Sequence, residues 1–376
     1  MNTFEFREIP KEEFELRYKK ARDLMSEKGI DWLFVSDWIN FRYFTGCEPS
    51  TRNRPPYFFL PLQGNPFILS ANLPASSFRT MTWVPEVVEY TVPIRAEAIR
   101  DALIDAGARK ARVGTEQNDA FGMFRMNIQF DEFIRLKEFM SDCEFVDASD
   151  VLWSLRVKKT DLEIEYIRKA CDITGKAFEY MFHSVHPGMT EIDAARLLLE
   201  GMMREGADFP TQYRGKIGPC HGLIVDASRP AGEPHYPVDK VLKEGDVLHV
   251  DAGTIYRGYH SDFGRLGVVG KPNDKQIRLW EKSADDIRRS LEKIKPGNPL
   301  GEIEVWWHGL GLEGFEYPFV VCDKDKLMEV GMVLTPETIK YKMDTGETFN
   351  LEQNIAITES GYDLLSKVKI ELFEIR

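Results

Sequence analysis

Gly245-Asp-Val-Leu-His-Val-Asp-Ala-Gly253, followed by Gly258-Tyr-His-Ser-Asp262, is the stretch on which the reading of this chain turns. Apolar residues alternate around Asp251, which predicts a strand. Gly253 and Gly258 predict a hairpin that brings Asp262 back beside it. Two carboxylates then share one face. A buried pair of acids is costly unless a cation neutralises it or one member is protonated; the alternative is a surface hairpin carrying two solvated acids.

Further along come His308-Gly-Leu-Gly311, Thr335-Pro-Glu337 and Leu351-Glu-Gln-Asn-Ile-Ala-Ile357. Glu352 is the single charged residue of a strand-like apolar run, and Glu337 follows Val333-Leu-Thr335, also strand-like. One imidazole and four carboxylates, Asp251, Asp262, His308, Glu337 and Glu352, suit two divalent first-row ions sharing bridging carboxylates. Such hard ligands favour Mn, Co, Fe or Zn over copper. Taken singly, each acid also reads as a solvated strand-end residue; order and spacing make the set.

Towards the N-terminus, helix-like and strand-like runs alternate: an amphipathic stretch from Glu12 to Lys28, then Trp32–Ser36, then Tyr57–Leu62. This predicts an α/β domain with a mixed sheet. Thr160-Asp-Leu-Glu163 is a capping box opening a long helix through Tyr180. The expected domains are 1–151 and 152–376. In the second, Ile173–Asp193 and Ile287–Glu304 echo each other, each passing from a helical pattern through Pro-Gly (Pro187-Gly188, Pro296-Gly297) into an acidic-apolar segment. Such an echo implies two similar halves about a pseudo-twofold axis, with a site between them.

With 376 residues, 43% hydrophobic and 29% charged, the chain has the composition of a soluble globular protein of more than one core. No stretch reaches the roughly 18 apolar residues of a membrane span, and no secretory leader is visible, so the expected location is cytoplasmic. Five scattered cysteines without a C-x-x-C pair read as small buried residues in a reducing compartment. A net charge of −12 without a basic run argues against nucleic acid as a partner.

The segment Asp251-Ala-Gly…Gly258-Tyr-His-Ser-Asp262-Phe-Gly-Arg265 resembles the D-x-G…G-Y-x-S-D-x-x-R signature of the prolidase, aminopeptidase P and creatinase superfamily of pita-bread metallopeptidases. The later pieces resemble its H-G-x-G-L, T-x-E and final E…T-E-x-G elements, the last ending at Thr358-Glu-Ser-Gly361. Ile39-Asn-Phe-Arg-Tyr-Phe-Thr-Gly46 resembles its creatinase-like N-terminal domain. The resemblance implies a creatinase-like α/β domain followed by a pita-bread domain. It also implies a hydrolase of a small peptide or other small molecule, an Xaa-Pro dipeptidase or an aminopeptidase P-like exopeptidase, working as a homodimer. Asp251 would chelate one ion, Asp262 and Glu352 would bridge, and His308 with Glu337 would hold the second. A hydroxide bridging the pair would attack, Glu337 would shuttle its proton, and His235 would contact the substrate.

Two features depart from the family pattern. Its peptidases carry a second histidine seven residues after the ligand histidine, and here that position is Phe315. Phe cannot donate to an oxyanion, a contribution of about 2–4 kcal/mol elsewhere. His260 is a candidate substitute, unless it is a solvent-facing hairpin residue. Spacing is the other: the ligands are separated by 11, 46, 29 and 15 residues, and the second interval is short for a prolidase. The segment Pro299–Trp307 leaves room for only a turn or two of helix, and Trp306 and Trp307 then pack as core or line an altered pocket. Arg52 and Arg54 read as a clamp for a substrate carboxylate or as a solvated loop. Competing readings are a creatinase-like C–N hydrolase or metal-dependent lyase, and a non-catalytic binding module.

Overall fold

The computed structural model describes residues 7, 9–48, 53–117, 123–124, 126–208, 220–228, 236–338 and 348–376. They divide into two compact units, the first running to Arg156 and the second beginning at Val157.

The first unit is built on six strands: β1 (Trp32–Val35), β2 (Tyr57–Pro61), β3 (Phe67–Ala71), β4 (Glu86–Tyr90), β5 (Arg112–Thr115) and β6 (Glu144–Asp147). They lie in the order β4-β3-β2-β1-β5-β6. β2 is antiparallel to both β1 and β3, while β3/β4, β1/β5 and β5/β6 are parallel, so the sheet is mixed as expected. Every residue of β1, β2 and β3 is buried, as strands covered on both faces must be. Six helices accompany them: α1 (Lys11–Lys28), α2 (Trp38–Thr45), α3 (Asn72–Met81), α4 (Ala96–Asp105), α5 (Phe130–Phe139) and α6 (Ser149–Val157). α2 starts where Asp37 accepts from the amides of Ile39 and Asn40. Buried Glu116 accepts from the amides of Ser36 and Asp37 just before it.

The second unit opens with α7 (Asp161–Ser184), capped by the reciprocal Thr160–Glu163 box that its sequence predicts, and α8 (Glu191–Arg204). β7 (Cys220–Ala227), β8 (Val247–Tyr256), β9 (Tyr259–His260) and β10 (Phe263–Val269) follow, then α9 (Asp274–Glu292) and a single 3-10 turn at Leu300–Glu302. β11 (His308–Gly309), β12 (Glu316–Phe319), β13 (Val333–Leu334), β14 (Ile355–Thr358), β15 (Gly361–Leu364) and β16 (Leu372–Ile375) complete it. One sheet has the order β16-β10-β8-β7 with β9 paired to β8; the other is β12-β11-β13-β14-β15. Phe178 and Phe182 of α7 pack against Phe263 and Phe373 of the first sheet. Val247, Leu266 and Val268 turn instead into an apolar cluster with Leu334, Ile355 and Ile357 of the second sheet and Ile287 of α9.

The internal echo has a structural counterpart. Gly188 and Gly297 both take positive φ, 93° and 88°. The amide of Gly188 donates to Leu242 O while Leu242 N donates to Met189 O; likewise Gly297 donates to Met328 O and Met328 N to Asn298 O. Past these matched clasps the halves diverge. The first continues into the 14 residues of α8, the second into the three residues of the 3-10 turn. The short interval before His308 is this missing helix. Trp307 fills the core at 0% exposure and Trp306 packs against it, half-buried.

Among the described side chains, four cysteines are free thiols; Cys47 and Cys171 are buried as expected, but Cys143 is only half-buried and Cys322 is exposed. Cys322 sits on the turn after β12, where its amide donates to Phe319 O. No helix among the described residues is long and apolar enough to cross a membrane.

Candidate metal centre

Asp251 lies in the middle of β8, directly across from Gly264 of β10. The chain reverses between them under tight constraint. A Cβ on Gly253 would stand 1.5 Å from Ser261 O, so only glycine admits this approach. Ser261 donates its amide to Thr254 O at 3.0 Å, its hydroxyl accepts from Thr254 N at 2.9 Å, and it meets the Thr174 hydroxyl of α7 at 2.8 Å. The G-Y-x-S-D motif is thus a device for anchoring the turn that carries Asp262.

Asn354 fixes the other side of that turn: its Oδ1 accepts from Asp262 N at 2.9 Å and its Nδ2 donates to Asp262 O. Arg265, fully buried, donates to Gly264 O (2.8 Å), Glu352 O (2.9 Å), Val368 O (2.9 Å), Lys369 O (3.2 Å) and Gln353 Oε1 (2.9 Å). The segment bearing Glu352 is held against β10 in this way. Burial lowers the Arg265 guanidinium to about 9.

Glu337 sits between two neighbours, bridged through its backbone to Trp306 on one side and to Glu352 on the other. Trp306 in turn precedes His308 on the way into β11. The four loci therefore converge, and two groups of ligand atoms lie within 4.8 Å of one another: Asp262, His308 and Glu352, and Asp251, Glu337 and Glu352. His308 Nε2 is 3.8 Å from both Asp262 Oδ2 and Glu352 Oε1. Its Nδ1 is 2.8 Å from Gly309 O, which can only accept, so Nδ1 carries the proton and Nε2 is turned towards the acids. The resemblance places Glu337 beside His308; the structure groups it with Asp251 and Glu352, and Asn350 Nδ2 donates to Glu337 Oε1 at 2.7 Å.

Burial, with Asp262, Asp251 and Glu337 nearby, pushes Glu352 well above the usual carboxylate range. Burial and then Asp251 raise Glu337 to about 7. Four acids so crowded need positive charge, and the donor set of carboxylate oxygens plus one imidazole nitrogen fits hard or borderline divalent cations.

Of the remaining expected site residues, His260 is buried at 2% on β9, not solvent-facing, and its amide donates to Gly311 O. Phe315 is 41% exposed and stacks on His308 with ring centroids 3.7 Å apart and planes at 20°. Arg54 belongs to the first unit, half-buried and near enough to Tyr90 to act on its charge. His235 and Arg52 lie outside the described residues.

Residues 165–307 match metallopeptidase family M24, and residues 17–158 match the creatinase/prolidase N-terminal domain. The chain thus joins a creatinase/prolidase N-terminal domain to an M24 metallopeptidase domain. An Xaa-Pro dipeptidase of Pyrococcus furiosus is 27% identical to this chain, covering 95% of it and 99% of the relative. The solved prolidase from Pyrococcus furiosus superposes with a TM-score of 0.76 at 26% identity, covering 93% of this chain and 99% of that one. An Xaa-Pro dipeptidase from Bacillus anthracis reaches a TM-score of 0.81 at 23% identity, covering 96% and 99%, a likeness of fold.

The asparagines went unread at the sequence level. Asn354 and Asn350 sit beside ligands, at Glu352+2 and Glu352−2, and a polar residue repeated at strand period around a buried acid is the signal that reveals them.

Proposed function

We propose that this chain is a metal-dependent Xaa-Pro dipeptidase or aminopeptidase P-like exopeptidase that holds two divalent cations. The observation that carries this reading is the pair of donor groups, one buried and one partly buried, that share Glu352. Asp262, His308 and Glu352 would hold one ion, and Asp251, Glu337 and Glu352 the other. Mn, Co, Fe or Zn suits the donors. When bound, such ions supply Lewis-acid chemistry, polarising a carbonyl and lowering the pKa of water.

The chain's own contribution is positioning and proton handling. Arg265 and Asn354 keep the Glu352 and Asp262 segments in register, and Gly309 O fixes the His308 tautomer. Glu337, raised towards neutrality, holds and returns a proton near physiological pH. His235 is proposed as the residue that contacts substrate, on the family resemblance alone. A homodimer in the cytoplasm belongs to the same proposal.

The test is metal analysis of the purified protein followed by assay on Xaa-Pro dipeptides and longer Xaa-Pro peptides. We expect about two equivalents of a first-row divalent ion. Cleavage should fall in Asp262→Ala by more than the roughly hundredfold typical of losing an outer-shell partner. A metal-loaded protein inert towards every such peptide sinks the peptidase reading. Phe315, in the place of the family's second histidine and stacked on His308, favours as a second reading a hydrolase or lyase of a small non-peptide substrate. Turnover of such a compound by that same preparation would establish it.

A further inference from the structure

Two residues before Asp251 on β8 stands His249, only 4% exposed. Strand alternation puts both side chains on one face. Across the ladder, the register pairs His249 with Asp226 of β7, itself 5% exposed, and His249 Nδ1 lies 3.5 Å from Asp226 Oδ2. On the other side His249 faces Leu266, a member of the apolar cluster between the sheets. His249 Nε2 is buried and has no hydrogen-bond partner among the described residues. Asp251 and Glu337 are the next charges to act on the ring, after Asp226. Glu337 also accepts from Asn350 Nδ2, and Asn350 Oδ1 is buried with no hydrogen-bond partner among the described residues.

Stability does not account for this pair. Valine at both positions would extend the apolar surface of Val247 and Leu266, and replacing a buried ion pair with packed hydrophobic side chains is commonly neutral or stabilising. A buried imidazole with one nitrogen towards Asp226 and the other left over, on the strand face it shares with the candidate ligand Asp251, has the arrangement of an outer-shell partner, which orients a ligand carboxylate.

We propose that His249, oriented by Asp226, is a positioning residue of the metal centre that sets the Asp251 and Glu337 carboxylates for cation binding. The proposal rests on the metal reading of the site, and the experiment separates the two. Mn²⁺ is titrated calorimetrically into the metal-free full-length protein, and the Co²⁺-loaded protein is examined by visible absorption. In Asp226→Val/His249→Val we expect a metal-free melting temperature equal to or above the parent's. Mn²⁺ affinity at one of its equivalents should be weaker by about ten- to a hundredfold, the usual consequence of removing an outer-shell partner. The Co²⁺ d–d bands should shift, which a merely structural role would not cause. Asp226→Asn, which keeps the shape but removes the orienting charge, should lose affinity in the same direction by a smaller factor, and it decides the matter if the double variant does not fold. Parent-like affinity and Co²⁺ bands in the folded variants overturn the proposal. A parent protein that binds no divalent cation instead overturns the metal reading, and this inference with it.

Discussion

Arg265 is the residue on which the site's geometry most depends, since five acceptors from three segments converge on it. Arg265→Leu strips the donor from the buried carbonyls of Gly264 and Glu352, each at a cost of about 1–3 kcal/mol, and releases the segment at Val368 and Lys369. We expect this variant to be destabilised by several kcal/mol in urea unfolding, and Arg265→Lys, which cannot span all five, to lie between it and the parent. Phe315 has a milder role. Its ring backs His308, and Phe315→Ala should cost about 1 kcal/mol of stability, as for other lost aromatic pairs. Cation affinity should fall as the imidazole gains freedom; a calorimetric titration unchanged from the parent would exclude a role for the stack. These contacts were not readable from sequence. A motif names the arginine and the departure names the phenylalanine, but neither says that one reaches backbone carbonyls a hundred residues away or that the other lies face-on to the ligand.

At the level of elements, local pattern was a good guide wherever the chain obeys one period for long enough. The stretch from Glu12 to Lys28 is α1, Trp32–Ser36 and Tyr57–Leu62 contain β1 and β2, and the Thr160 box opens α7. The acid-bearing loci near the C-terminus were less legible. The apolar pattern puts Glu337 and Glu352 inside strands, yet β13 ends at Leu334 and β14 begins at Ile355, and the two acids meet through isolated bridges. Arg265 and Asn354 supply from the side what a continuous ladder would otherwise supply. The β8–β9 reversal gives the sharpest element-level prediction. Gly253→Ala drives a methyl into Ser261 O and should cost at least the roughly 3 kcal/mol upper end of overpacking. Because Asp262 follows directly, cation binding should fail in any fraction that still folds. Lys159 and Glu316 form a fully buried ion pair at 3.1 Å that braces the segment carrying Phe315. Lys159→Met strands Glu316 and should cost about 3–5 kcal/mol by thermal unfolding, whereas removing both charges should cost less.

The whole molecule's response to pH follows from its raised carboxyl groups. Glu337 moves from 4.5 to about 7, and Glu352 also shifts upward, so the metal-free folded chain binds more protons than the unfolded chain across that window. Its stability therefore falls as pH rises through it. Glu116, in the first unit, is raised to about 7 by burial and Asp37 and adds the same slope. A cation reaches only the first two. Melting curves between pH 5 and 8 should show the metal-free protein losing stability towards pH 8. Mn²⁺ at 100 times its Kd should restore about 2.7 kcal/mol there and flatten the part of the slope that Glu337 and Glu352 contribute, while the Glu116 part persists. At this scale the two-domain α/β plan was legible because two segments each carry family-like motifs, and the missing helix before His308 showed as a short interval. The Asp226–His249 pair was not, because its members lie far apart in sequence and only strand register brings them together.

β16 pairs in parallel with β10 although more than a hundred residues separate them. During synthesis the first unit can close as soon as its own strands emerge, but β10 must wait with one edge unpaired until residues 372–375 leave the ribosome. The interval in which that edge stands open is at least the time taken to translate residues 270–371. Slowed elongation across residues 270–371 is therefore when this protein is most exposed to aggregation and to chaperone capture.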